Sequence, residues 1–166
     1  MRNLPASLLV FAAVLLRASG ATAQDMPDSI RAPGETAFLT LHAEGAQVYE
    51  CKADQAGKLA WIFREPIATL LQDGKTVGRH YAGPQWELSD GGIVQGKVSA
   101  KAPGATPSDI PWLKLDAAAQ KGHGALSDAM TIQRVNTHGG VLEGACDTAG
   151  AFRSVAYSAD YIFLRK

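Results

Sequence analysis

The densest run of reactive side chains lies between Val77 and Val98, where His80, Tyr81, Trp86, Glu87 and Asp90 crowd around a Gly83-Pro84 step. A histidine titrates near neutrality, so with a carboxylate partner it can serve as general acid, general base or ligand. Asp90 in the same stretch and Asp160 near the end of the chain are the carboxylates that would complete such a pair. A plainer role competes: histidines are also held by hydrogen bonds within a sheet or at its rim, and no spacing fixes a partner for His80.

Two further sets of residues suit binding rather than bond-breaking. Gln133, Arg134 and Asn136 lie in one β-prone stretch, Ala129 to His138. If that strand is regular, Arg134 and Asn136 share a face and Gln133 projects to the other. Such a pair would line a polar pocket for a carboxylate or a sugar hydroxyl, unless Arg134 is tied to a carboxylate such as Asp160 as a structural anchor. Trp61, Trp86 and Trp112 are core residues by default, since indoles bury a large apolar area. Trp86 and Trp112 side by side on the surface would instead form a stacking platform for a sugar or another flat ligand.

The common catalytic and cofactor signatures are missing from the sequence: no GxSxG elbow, no HExxH, no phosphate-cradling loop and no dinucleotide fingerprint. His42, His80, His123 and His138 show no metal-ligand spacing, so no metal and no cofactor is expected.

The first residues read as a leader. Arg2 supplies a positive start, Leu8 to Leu16 an apolar run too short to span a bilayer, and Ala21-Thr22-Ala23 a small-x-small cleavage site. Residues 1–23 are therefore expected to be a signal peptide, 24–35 a flexible lead-in, and 36–166 a single β domain, periplasmic or secreted. Without Arg2 and Arg17 the chain keeps 14 Lys and Arg against 16 Asp and Glu, about −2 with neutral histidines. The basic residues are scattered, which argues against nucleic acid and against a polybasic membrane patch, and no stable membrane insertion is expected after cleavage. Cys51 and Cys146 are an even count in an exported chain and read as a disulfide; without CxxC spacing or an adjacent histidine they make a poor zinc site.

The elements that must position these residues are short strands separated by turn signals. Thr36 to His42 and Ala46 to Lys52 are two strands broken at Glu44-Gly45, with Gln47, Tyr49 and Cys51 on the inward side of the second. Lys58 to Arg64 follows across a turn at Asp54 to Gly57 and is stopped by Pro66. Ile67 to Gln72 fits a strand or a helical turn. Val77 to Val98 reads as one hairpin turning at Ser89 to Gly92, and Ala100 to Pro111 as a proline-rich loop. Pro111 to Leu115 alternates, and Asp116 to Lys121 suits one helical turn capped by Asp116. Ser154 to Leu164 is the last strand, with Tyr157, Tyr161 and Phe163 on one face and Asp160 on the other. No βαβ rhythm and no sustained helical period appear. The fold class is all-β, mainly antiparallel, a single-domain sandwich or barrel with at most one or two helical turns.

Several pieces together carry a resemblance: GAQVYECK with WIFREP, GRHYAGPQWELSDGG, IPWLKL, TIQRVNTHGG with a downstream Cys-Asp, and YSADYIFLRK. The chain resembles domain-of-unknown-function family 3455, exported bacterial and fungal proteins, from about Gly45 to Phe163. The resemblance implies one exported, mostly β domain and carries no catalytic residue. The leading expectation is a binding module for a small molecule, a glycan or a protein. The rival is a small hydrolase-like enzyme using His80 with Asp90 or Asp160. No residue pattern sets an oligomeric state.

Overall fold

The computed structural model describes residues 25–166. The leader expected over 1–23 lies outside the described residues. Eight strands follow in chain order: β1 (Thr36–Ala53), β2 (Leu59–Gln72), β3 (Lys75–Tyr81), β4 (Gln85–Leu88), β5 (Ile93–Ala102), β6 (Trp112–Lys121), β7 (Thr131–Gly139) and β8 (Phe152–Arg165). Each pairs antiparallel with the next, and β8 returns to pair with β1 from Thr36↔Arg165 to Glu50↔Phe152, so the sheet closes into a barrel. The only helical turn among the described residues is a 3-10 turn, Asp28–Ile30. Of the two architectures the sequence left open, the chain adopts the barrel.

Alternation decides what fills it. On β8, Tyr157, Ala159, Tyr161 and Phe163 are buried inside, and Ser158 and Asp160 point outward. At the end of the barrel where β1 begins and β8 finishes, Leu41, Leu70, Leu88, Val94, Ile132 and Phe163 pack as one apolar cluster. The β6–β7 loop adds the fully buried Leu126 to that cluster. Asp90 latches this plug. Its carboxylate accepts from the Gly92 amide at 2.9 Å and the Ala125 amide at 2.7 Å, and these bonds hold its pKa below the usual carboxylate range.

Four local expectations are overturned, each by pairing that the local sequence does not encode. Glu44-Gly45 does not break β1. A side chain at Gly45 would strike the Ile67 carbonyl, so glycine marks a close approach of β1 to β2. Pro66 does not stop β2. It pairs with Gln47 of β1, whereas β3 pairs with β2 only from Ala68 onward, so Pro66 has no second ladder to interrupt. Asp116 to Lys121 is strand, not helix, because β5 offers partners from Ile93↔Lys121 to Lys97↔Asp116; an isolated helical turn has no comparable support. The stretch from Val77 to Val98 holds three strands, not two, because Ala82 to Pro84 also reverses the chain and places His80 directly across from Trp86. Ile67 to Gln72 belongs to β2.

Within the expected lead-in, the described residues from Asp25 include a 3-10 turn, Asp28–Ile30, that packs on the barrel. Ile30 is fully buried against Ala102, Trp112 and Val135 on the outer wall, and its carbonyl accepts the Gln133 amide at 2.6 Å. Deleting its side chain leaves a cavity in that patch. Ile30→Ala should destabilise the protein by about 2–5 kcal/mol, read as a lower urea midpoint; an unchanged midpoint would mean that the lead-in adds nothing to the barrel.

Cys51 and Cys146 are joined across a sequence separation of 95 with their Cα atoms 5.9 Å apart. The bridge binds the segment between β7 and β8 to the end of β1, where Cys51 and Ala151, and Leu59 and Cys146, also share backbone hydrogen bonds. Closing a loop of that size restricts the unfolded chain by roughly 4–5 kcal/mol in the chain-entropy account. Reduction should therefore lower the melting temperature by roughly 10 °C; identical curves with and without reductant would show that the bridge does not stabilise the fold.

Candidate functional site

The end of the barrel opposite the Leu126 plug is built differently. There β1 finishes, β2 begins, and the β3–β4 turn, the β5–β6 loop and the end of β7 come together. A cavity of about 460 Å³ opens there, within the usual range for small-molecule sites. Tyr161, Trp86, His80 and Leu115 form its inner walls, while Phe63, Val98 and the Ala82–Pro84 turn stand at its mouth. Phe63 is 50% and Val98 49% exposed at this mouth. Eight strands enclose a space that side chains can just fill or that can hold one small ligand.

The aromatic floor is set by cross-strand geometry. The His80 ring stacks on the Trp86 indole with centroids 4.5 Å apart, and Tyr161 meets both, at 4.9 Å from His80 and 5.1 Å from Trp86. Gly96 opposite leaves room for the indole: a Cβ there would sit 3.0 Å from Trp86 and 3.1 Å from Leu115. His80 is 3% exposed, and its Nδ1–H donates to the Gln85 carbonyl at 2.8 Å. Burial pushes its pKa down to about 3, with the Arg134 charge acting in the same direction. The imidazole is neutral throughout the physiological range.

Arg134 enters the same space from β7. Its Nε and Nη2 donate to the Pro111 carbonyl at 3.1 and 2.8 Å. The loop carrying Pro111 is itself pinned. Asp109 accepts from the Gly139 amide, Thr137 Oγ1 donates to the Ile110 carbonyl, and Gly140, which bridges to Asp109, accepts from Tyr49 Oη. Among the described residues no carboxylate pairs with Arg134. Its charge is felt instead by buried phenols: burial raises the pKa values of Tyr49, Tyr157 and Tyr161, and Arg134 pulls each back.

The sequence-selected residues separate into four places. His80, Trp86 and Arg134 meet in the cavity. Trp112 and Gln133 face outward, beneath the lead-in, so Trp86 and Trp112 form no platform. Asn136 does not share a face with Arg134. Its φ of 50° and the register shift between Val135 and His138 turn it outward, where its amide donates to Asp160 at 2.8 Å. Asp160 also bonds His42 at 2.8 Å on the outer wall, not Arg134 and not His80. Asp90 is spent on its backbone latch. The carboxylate–histidine pair that the enzyme reading needs is not assembled from His80 with Asp90 or Asp160.

Sequence reasoning passed over Gln47, Tyr49 and Tyr161 as site residues. Gln47 is 2% exposed and lines the cavity; its amide lies toward the Tyr157 hydroxyl, but its Nε2 makes no close hydrogen bond. The signal was present: a glutamine on the inward set of an alternating strand, between apolar and aromatic neighbours, is a polar group placed inside on purpose or at a cost.

The buried histidine predicts a pH dependence of known sign. The unfolded chain protonates His80 at the ordinary imidazole value of about 6.5 and the native protein only at about 3. Stability is thus undiminished above pH 6.5 and falls as pH drops below it, by at most about 1.4 kcal/mol per pH unit. His80→Phe should flatten the stability profile between about pH 6.5 and 5, above the range where surface carboxylates titrate; the same slope in the variant would contradict the assignment.

No curated protein and no solved structure matches the chain. A family model does: DUF3455, described as a protein of unknown function, matches residues 32–165, and the chain belongs to that family.

Proposed function

We propose that this is an exported binding module that holds a small, largely apolar molecule inside one end of the barrel. The observation that carries the reading is the cavity of about 460 Å³ walled by Trp86, Tyr161, Leu113 and Leu115 with Phe63 and Val98 at its mouth. Burial of apolar ligand surface there is favourable by roughly 25 cal/mol per Å² before the costs of association. A glycan would want several convergent hydroxyl partners and exposed rings, and the outward-facing candidates are otherwise engaged: Trp112 is 2% exposed beneath the lead-in, and Asn136 is bonded to Asp160. Export is supported by the Cys51–Cys146 disulfide. Among the described residues no helix is long and apolar enough to cross a membrane.

The test is titration with the neutral fluorophore phenylnaphthylamine, following its emission and energy transfer from tryptophan. The expected result is saturable binding at one site per chain, weakened several-fold by Leu113→Trp, which fills the cavity from β6. No saturable binding, or binding indifferent to Leu113→Trp, would overturn the reading.

A further inference from the structure

The cavity is apolar in its walls, and the charged side chains that line it, Arg64 and Arg134, are both cations. Arg134 is cationic, with Nε and Nη2 directed to the Pro111 carbonyl and its guanidinium beside the Tyr161 hydroxyl. Gln47 Nε2 and Trp86 Nε1 are buried N–H groups of cavity-lining residues, and neither makes a close hydrogen bond. Leaving such buried donors unsatisfied costs about 1–3 kcal/mol each, so two of them beside the Arg134 charge form a pattern that an acceptor-rich ligand would relieve.

The carboxylates that could have supplied the acceptors are elsewhere. Asp160 bonds His42 and Asn136 outside, Asp109 holds Gly139 and Thr106, and Glu87 is taken by Arg79 and Tyr81. The nearest groups inside are phenols and a neutral imidazole, none of which carries negative charge.

Resting on the cavity reading above, we propose that the ligand is an amphipathic monocarboxylate. Its carboxylate accepts from the Arg134 guanidinium and the Gln47 amide, and its hydrocarbon body lies against Trp86, Tyr161 and Leu115. Charge-assisted bonds to arginine are about twice as strong as neutral ones and suit the two oxygens of a carboxylate. The inner wall offers nothing charged to the far end of the ligand, which selects one acidic group rather than two.

The experiment is competition against bound phenylnaphthylamine with octanoate and with octanol, which share a chain length and differ in the head group. Octanoate should displace the fluorophore about tenfold more tightly than octanol, the size of one charge-assisted contact. Arg134→Met should bring octanoate down to the level of octanol while phenylnaphthylamine itself still binds. Gln47→Leu, which keeps Arg134 and its Pro111 contact in place, should cost octanoate several-fold and octanol nothing. Equal affinities for octanoate and octanol in the unmodified protein, or an octanoate preference surviving both substitutions, would overturn this proposal and leave the cavity reading standing. Failure of phenylnaphthylamine and octanoate alike to bind would overturn both.

Discussion

The ladder between β1 and β8 is the constraint from which the rest follows. By pairing the first and last strands it removes both sheet edges and satisfies two rows of backbone groups at once. It also fixes the interior: once eight strands close, the width of the lumen is set by strand number and tilt, and the side chains must fill it or leave a space. The chain does both. At one end Leu41, Leu70, Val94, Phe163 and the inserted Leu126 close the lumen. At the other, the inward positions are held by Tyr161, His80, Arg134 and Gln47, whose polar atoms cannot meet in a dry core.

The placement of charge follows from the same closure. Carboxylates stay on the outer wall or at the loops, where Asp90, Asp109 and Asp160 organise backbone turns and neighbouring strands. Inside, burial keeps the titratable groups neutral, lowering the pKa of His80 and raising those of the already neutral tyrosines. Arg134 is the exception, because guanidinium does not give up its proton. The protein keeps that charge at the mouth by means of a single carbonyl, on a loop that bonds through Asp109 and Thr137 hold in place. The disulfide lies at this same end and fastens the segment that crosses the start of β2. The stapled end is thus also the incompletely filled one.

Much of this architecture is legible in the chain itself. The Tyr157, Tyr161 and Phe163 alternation, the inward set of Gln47, Tyr49 and Cys51, and the turn at Asp54 to Gly57 all appear in place, because each depends on local periodicity or local turn chemistry. What local sequence misreads is decided by partners distant in sequence. Gly45 looks like a breaker until β2 lies against it, and Pro66 until β3 is seen to fall short. Asp116 to Lys121 has helical composition and a strand's neighbours. For the site, His80, Trp86 and Arg134 are legible as residue types. Their meeting depends on a Gly-Pro reversal and on barrel closure, and the outward turn of Asn136 depends on a left-handed residue within a strand.

The central claim is that the disulfide-bearing end of the barrel keeps a space that an apolar molecule can enter. A crystal structure of the mature protein soaked with phenylnaphthylamine tests it most directly. The account predicts density for the fluorophore between Trp86, Leu115 and Tyr161, with the backbone of the barrel unchanged. A lumen closed at that end by the protein's own side chains, with the fluorophore absent or on the outer wall, would contradict it.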